Sequence, residues 1–129
     1  MPVAGTSFVI DMMRRDQGAL ALFEHYEEQG VALQTTAVTA LELYKGAFIS
    51  GTENNREKVV ALLELFTVLP VDETIYEAVG RISAALALQG GAIGDFDELI
   101  ATIALCYDGV IITRDRHFAK VPRLKVISY

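Results

Sequence analysis

The chain has 129 residues, 52% of them hydrophobic, and a formal net charge of −6 at pH 7. This length suits a single domain with one core and is too short for two. The negative charge excludes non-specific binding of nucleic acid by the whole surface, because such binding needs positive charge. The apolar runs are broken well before membrane-spanning length, so we expect one cytoplasmic domain over residues 1–129 and no membrane partner.

Three further features of the composition concern the binding partners and the cellular compartment of the chain. The mean hydropathy of +0.34 is high, so we expect part of the apolar surface to be buried against another chain. Five of the eleven basic residues lie between Arg114 and Lys125, where Asp115 is the only acid, so a local basic strip is compatible with the negative total. The single Cys106 lies in an apolar run and is predicted to be a small buried side chain in a reducing compartment.

The first half of the chain is predicted to alternate short strands with longer helices. Val3 and Ala4 form a strand, and Thr6 and Ser7 are possible N-caps of a helix over residues 8–14. An amphipathic helix over residues 18–29 then ends at Gly30. The remaining predicted elements of this half are a strand over residues 31–33, a helix introduced by Thr35 and Thr36 that runs to about residue 49, and a helix over residues 56–65.

The second half continues the same alternation. Residues 66–69 are predicted to form a buried strand that ends at Pro70, and Asp72 caps a long helix that runs to about residue 89. An acidic helix start at residue 95 precedes a short apolar strand over residues 109–113, and residues 125–127 form an edge strand. This order predicts an α/β fold, a sandwich in which helices cover both faces of a parallel sheet.

The segment over residues 93–101 supplies the first candidate site residue. Asp95 and Glu98 have the spacing of a capping box at the start of a helix whose apolar residues continue almost all round it. Asp97 has no comparable local role, and an ionisable group in the first turn of a core helix is costly unless it is used. We therefore take Asp97 as the leading candidate and Asp95 as a supporting residue.

The predicted topology brings further acids to the same edge of the sheet. Ligand sites in open parallel sheets lie at the carboxyl ends of the strands, where Thr6 and Ser7 follow the first strand. Asp97, Asp115 and, from within a helix, Glu42 are expected at that edge. Converging carboxylates repel one another, and Mg²⁺ or Mn²⁺ with oxygen ligands suits such a cluster. A cluster of this kind can activate water for hydrolysis of a phosphodiester.

Each of these acids also has a simpler structural interpretation. Glu42 has the spacing of a capping partner of Thr39 or of an ion pair with Lys45. Asp115 has the position of a turn cap, and Asp97 favours a helix N-terminus merely by its charge. The sequence leaves these interpretations open for each acid taken alone, whereas the convergence of all three favours a site.

Four segments in order resemble the PIN-domain ribonucleases and, within them, the VapC toxins of toxin–antitoxin pairs. They are residues 6–11, 36–43, 93–101 and 113–118. The resemblance implies a three-layer α/β/α sandwich with a central, mainly parallel sheet. It also implies a homodimer, an RNA substrate and a VapB-like antitoxin that covers the site.

The same resemblance implies roles for individual residues. Glu42, Asp97 and Asp115 correspond to catalytic acids that coordinate Mg²⁺ or Mn²⁺. Thr6 or Ser7 would help to order the site. Arg114 or Arg116 would steer the RNA backbone toward the reacting phosphate.

One position departs from the family pattern. The family has an Asp directly before the Thr-Ser pair, whereas this chain has Gly5. Asp11 is expected to lie too far along the following helix to replace it. Loss of one ligand predicts an impaired nuclease. The alternatives are a catalytically inactive PIN-fold module that binds RNA or an antitoxin, and an unrelated α/β interaction domain with structural acids.

Overall fold

The computed structural model describes residues 1–129, which contain one parallel sheet of five short strands. The strands are β1 (Val3–Ala4), β2 (Gln34–Thr36), β3 (Thr67–Leu69), β4 (Val110–Ile112) and β5 (Lys125–Ile127). Their order in the sheet is β3-β2-β1-β4-β5, and every pair of neighbours runs parallel. The predicted parallel α/β fold is confirmed.

Six α-helices cover the two faces of this sheet. They are α1 (Thr6–Met13), α2 (Gln17–Glu28), α3 (Ala37–Ser50), α4 (Glu53–Leu63), α5 (Tyr76–Leu88) and α6 (Asp95–Tyr107). Two 3₁₀ turns, Glu73–Ile75 and Arg116–Lys120, complete the chain. No helix combines the length and apolar character that a membrane span requires.

The core has two halves, one on each side of the sheet. In β4, Ile111 packs into the half that contains α6, whereas Ile112 packs into the half that contains α1. Val3 and Ala4 of β1 divide between the two halves in the same way. Because successive strand residues point to opposite faces, this division shows that the sheet is the middle of three layers. The expected α/β/α sandwich is present.

The predicted strand over residues 31–33 is wrong, because β2 begins at Gln34. All three residues of β2 are polar, yet all are buried. The Thr35 hydroxyl donates a hydrogen bond to the Ala4 carbonyl oxygen at 2.7 Å, so the neighbouring strand satisfies its polar atom. The hydrophobic pattern therefore places the strand three residues too early.

Smaller corrections concern helix starts and one edge strand. Helix α1 begins at Thr6 with Gly5 as its N-cap, so Thr6 and Ser7 belong to the first turn and do not cap it. Helix α4 begins three residues earlier than predicted, where Thr52 accepts a hydrogen bond from the Asn55 amide at 3.3 Å. Strand β3 lies at the edge of the sheet, so two of its three residues are exposed instead of buried.

The prediction that Cys106 is buried is also wrong. The buried residues of α6 end at Ala104, and Cys106 lies near the C-terminal end of the helix with its side chain exposed. The apolar sequence around it covers only the side of the helix that faces the core. The thiol is therefore a surface group.

Candidate active site

The candidate site lies where β1 and β4 end side by side. The chain builds β2 and β3 on one side of β1 and later returns to add β4 and β5 on the other side. Ligand sites in open parallel sheets lie at the carboxyl ends of the strands, at the point where the strand order reverses. Gly5, Thr6 and Ser7 follow β1 there, and Thr113 to Asp115 follow β4.

Glu42 is tied to the end of β1 by a hydroxyl group. The Thr6 hydroxyl donates to Glu42 Oε1 at 2.8 Å and lies 3.0 Å from the hydroxyl oxygen of Thr39. Helix α3 is capped by Thr36, which accepts from the Thr39 amide at 3.0 Å, so Glu42 is not a capping partner. It forms no ion pair with Lys45 either. The two local interpretations of Glu42 are therefore wrong.

Ser7 links the loop after β4 to helix α1. Its hydroxyl oxygen lies 3.0 Å from the hydroxyl of the buried Thr113 and accepts a hydrogen bond from the Arg114 amide at 3.2 Å. Thr113 in turn accepts from the Asp115 amide at 3.1 Å. The Asp115 carboxylate makes no capping hydrogen bond to the 3₁₀ turn that follows it, so its side chain is not used as a cap.

Asp97 has a partner that the sequence did not identify. Its Oδ2 lies 2.7 Å from His117 Nε2, and the two side chains are 30% and 36% exposed. His117 stacks on Phe118, whose buried ring anchors the 3₁₀ turn. The pair therefore joins the first turn of α6 to the segment that carries Asp115, and the other oxygen of Asp97 has no hydrogen-bond partner within the protein.

The predicted capping box of Asp95 and Glu98 is not formed. The N-cap of α6 is Gly94, whose φ of 102° lies in a region that L side chains rarely adopt. Glu98 is 5% exposed and accepts a hydrogen bond from the Ile93 amide at 3.1 Å, while Asp95 is exposed in the first turn. Glu98 thus closes the turn before the helix, and Asp95 supplies only its charge.

A second buried acid beside the site was missed by the sequence analysis. Asp11 in α1 accepts a hydrogen bond from the Tyr129 hydroxyl at 2.5 Å and lies 3.3 Å from Arg114 Nε. Its side chain is 6% exposed. Burial, and then the hydrogen bond to Asp11, raise the pKa of Tyr129 above its ordinary value. Asp11 therefore anchors both the end of the chain and the loop that carries Arg114.

The donor chemistry of the site suits a hard cation, but its arrangement does not. Glu42, Asp97 and Asp115 all offer carboxylate oxygens, as Mg²⁺ and Mn²⁺ prefer. However, no group of three or more His, Cys, Asp or Glu side chains is placed so that it could hold a metal ion. The residues present do not make a complete metal site.

Gly5 occupies the position between β1 and α1 at the centre of this arrangement. Its amide donates to the Ile112 carbonyl oxygen at 2.9 Å, and its φ of −77° and ψ of 171° are ordinary extended values. A Cβ atom at this position would lie 3.2 Å from the same carbonyl oxygen, which is close but not prohibitive. The dihedral angles therefore do not require glycine here, but an added side chain needs the Ile112 carbonyl to move by a few tenths of an ångström.

Comparisons with known proteins agree with this geometry. Residues 5–124 match the family described as "PIN domain". Ribonuclease VapC19 of Mycobacterium tuberculosis is 28% identical over 97% of this chain and 98% of its own length. The tRNA(fMet)-specific endonuclease VapC of Shigella flexneri is 34% identical over 70% of each chain.

A solved structure supports the same assignment. The crystal structure of VapBC-5 from Mycobacterium tuberculosis, described as a member of the VapBC family of toxin–antitoxin systems, superposes with a TM-score of 0.72. The alignment covers 99% of this chain and 98% of that one, at 26% identity. The fold, the order of the site segments and these relatives together show that the chain belongs to the PIN-domain family, within its VapC group.

Proposed function

We propose that this chain is an endoribonuclease toxin of the VapC type whose catalytic site is incomplete at Gly5. The VapC relatives are named as a ribonuclease and as a tRNA-specific endonuclease, which supports RNA as the substrate class. Glu42, Asp97 and Asp115 would be the catalytic acids and, with an acid at position 5, the ligands of Mg²⁺ or Mn²⁺. The bound cation would supply Lewis-acid chemistry at the RNA phosphate.

The contacts that support the three candidate acids carry this proposal, and position 5 is where the site is incomplete. The family pattern described above expects an acid there, the residue is buried at the end of β1, and its φ and ψ are open to residues other than glycine. The other site residues keep their supports, because Thr6 bonds Glu42, His117 bonds Asp97 and Thr113 holds the loop of Asp115. These contacts favour a catalytic site that lacks one residue.

The two arginines at this edge have different expected roles in substrate binding. Arg114 is held at Nε by Asp11, which leaves the two terminal nitrogens of its guanidinium free to donate to a phosphate. Arg116 is exposed and has no ion-pair partner. We expect Arg114 to orient a phosphate and Arg116 to attract the RNA backbone.

The proposed setting is a cytoplasmic toxin–antitoxin pair that uses residues 1–129 as one PIN domain. A VapB-like antitoxin is supported by the toxin–antitoxin description of VapBC-5. Large apolar side chains on one helix, Leu41, Phe48 and Ile49, are 64%, 59% and 76% exposed. Such surface is typical of protein interfaces, so we expect the antitoxin and a second copy of the chain to bury it.

The competing function is a PIN-fold module that binds RNA or an antitoxin without cutting RNA. Gly5 and the lack of a metal-holding group favour this function. It predicts that RNA or antitoxin binding is retained while cleavage is absent even when position 5 is changed. The two functions therefore differ in the response of cleavage to a single substitution.

The deciding experiment compares RNA cleavage by this chain, Gly5→Asp and Gly5→Asn in buffers with Mg²⁺, with Mn²⁺ or with a chelator. Asn has nearly the size of Asp but no charge, so it controls for crowding against Ile112. We expect cleavage by Gly5→Asp only, in either metal, and its loss in Gly5→Asp combined with Asp97→Asn. Absence of cleavage by Gly5→Asp over a broad panel of RNAs, with the protein folded, would contradict the nuclease proposal.

A further inference from the structure

A group of unpaired basic side chains extends away from the candidate site. Arg116, Lys120, Arg123 and Lys125 are all exposed, and none of them is among the ion pairs of the structure. Arg56, Arg81 and Arg114 each pair with an acid, and the other unpaired cations, Arg14, Arg15, Lys45 and Lys58, lie in the first half of the chain. The four cations that follow Asp115 within ten positions of the sequence are called here the basic strip.

The fold lays this strip along one edge of the molecule. Arg116 and Lys120 lie on the 3₁₀ turn directly after the candidate site, at the carboxyl ends of the strands. Lys125 begins β5, the edge strand of the sheet, and therefore lies at the opposite, amino-terminal end of the strands. Arg123 precedes it in the connecting loop. The strip thus runs from the site toward the other end of the sheet.

The far end of the strip meets a groove between α5, α6 and the loop before β5. The groove has a volume of about 700 Å³, and Arg81, Arg123 and Tyr107 are among the residues that line it. Tyr107 is 50% exposed, so its ring is available for stacking. Arginine beside an exposed aromatic ring is the combination that single-stranded nucleic acid uses, since the cation contacts phosphate and the ring stacks on a base.

The distance involved suits several nucleotides of RNA. Asp97 and Tyr107 lie near the two ends of α6, and ten residues of helix span about 15 Å. A substrate that contacted only the reacting phosphate would not reach the groove. An RNA strand that continued from the site would pass the exposed cations before reaching Tyr107.

We propose that the basic strip and the Tyr107 groove form an extended binding track for single-stranded RNA outside the catalytic site. Arg116, Lys120, Arg123 and Lys125 contact successive phosphates, and Tyr107 stacks on a base at the far end. The direction of the track rests on the proposed function, because it begins at the site where RNA would be cut. The net charge of −6 disfavours binding of RNA over the whole surface, so binding needs a local group of cations such as this strip.

Binding of labelled oligouridine tests the track without requiring cleavage. The probes are a strand of about 30 nucleotides, long enough to follow the track, and one of about 4, close to the smallest site of a single-strand-binding fold. Affinity is measured with chelator present at several salt concentrations. The strip variant is Lys120→Gln, Arg123→Gln and Lys125→Gln combined. The matched control is Arg15→Gln, Lys45→Gln and Lys58→Gln, which removes the same charge from the other side.

We expect the strip variant to bind the long strand at least about tenfold more weakly than the unchanged protein. Because three phosphate contacts are lost, the slope of log affinity against log salt concentration should decrease in magnitude by about 2. The short strand and the control should change little. Tyr107→Ala should weaken long-strand binding about five- to tenfold without changing the salt slope, and Tyr107→Phe should bind normally, since only stacking is lost in the alanine variant.

The track is overturned if the control variant weakens binding as much as the strip variant does. It is also overturned if polyglutamate of equal charge displaces the labelled oligouridine from the protein as well as unlabelled oligouridine does. Its failure is distinguishable from failure of the proposed function. If Gly5→Asp does not cut RNA but the strip variant selectively loses the long strand, the nuclease proposal fails and the track remains. If Gly5→Asp cuts RNA and the strip variant binds normally, the track alone fails.

Discussion

Two aspartates beside the same sheet edge have opposite surroundings. Asp11 on α1 is 6% exposed, and one of its oxygens receives both the Tyr129 hydroxyl and Arg114. Asp97 in the first turn of α6 is 30% exposed and has a single partner, His117. Asp11 is therefore enclosed by the fold, whereas Asp97 is partly open to solvent.

This difference in burial predicts a structural role for Asp11 and a functional role for Asp97. A buried carboxylate with several hydrogen bonds stabilises the native state, and its removal leaves its partners unsatisfied. A partly exposed carboxylate with a single partner contributes little to stability but can bind a cation or position water. We therefore expect substitutions at Asp11 to affect folding and substitutions at Asp97 to affect cleavage.

The largest expected effect is at Asp97. In the Gly5→Asp background, Asp97→Asn should reduce RNA cleavage by at least about 100-fold, in line with the loss of a charge that stabilises the transition state. The free energy of unfolding should change by less than about 0.5 kcal/mol, as is usual for surface substitutions. Cleavage assays and urea denaturation check the two values. If Asp97→Asn lowered stability as much as activity, the proposed difference between Asp97 and Asp11 would be wrong.

Asp11→Ala should have the opposite pattern. Because it removes the acceptor of the Tyr129 hydroxyl and of Arg114, it should lower the free energy of unfolding by about 3 kcal/mol. Urea denaturation measures the change. Glu27→Ala, at an exposed position on α2, is the control and should have almost no effect. A loss below about 1 kcal/mol at Asp11 would show that its enclosure does not stabilise the fold.

Substitutions of His117 test how strongly cleavage depends on the hydrogen bond between His117 and Asp97. In the Gly5→Asp background, His117→Ala should reduce cleavage about tenfold, equivalent to one hydrogen bond of about 1.4 kcal/mol. His117→Gln, which can still donate to Asp97, should recover part of this loss. If alanine and glutamine behave alike, the His117 contact does not position Asp97.

Tyr129 gives the smallest expected effect and one that depends on pH. Tyr129→Phe keeps the ring beside Phe8, at a centroid distance of 5.1 Å, and removes only the hydroxyl. At neutral pH this substitution should lower the free energy of unfolding by about 1 kcal/mol.

The pH dependence of this effect follows from the raised pKa of Tyr129. Because the pKa is above the unfolded value of 10.0, the stabilisation is complete below pH 10 and declines as the pH rises further. Unfolding at pH 8 and pH 11 should therefore show a larger alkaline loss for the natural chain than for Tyr129→Phe. Identical losses of stability in the two proteins would show that the Tyr129 hydroxyl is not the source of the pH dependence.

The sequence predicted best those elements whose apolar pattern agrees with their final burial. Strand β4 and helix α6 lie where the pattern places them, because their core residues follow one another closely in the chain. Strand β2 was misplaced because its buried residues are polar and depend on a neighbouring strand for their hydrogen bonds. Local pattern carries no information about such partners.

The candidate site was predictable in its residues but not in its supports. Glu42, Asp97 and Asp115 were selected by type, position and family pattern, and their roles stay predictions. Asp11 was set aside as too far along α1 to replace the missing acid, and its contact with Tyr129, 118 positions away, has no local signal in the sequence. His117 contacts Asp97 across 20 positions, which likewise becomes visible only when the 3₁₀ turn is placed against α6.

The ordinary backbone at Gly5 has a consequence for how relatives of this chain are compared. Because the dihedral angles there are open to other residues, exchanging glycine for an acid needs only local movement beside Ile112, and we expect the strands, helices and overall superposition to change little. Shape similarity is therefore insensitive to the one position on which activity is proposed to depend. Among proteins of this fold, the identity of a single side chain would distinguish active from inactive members. A single substitution would then convert one into the other.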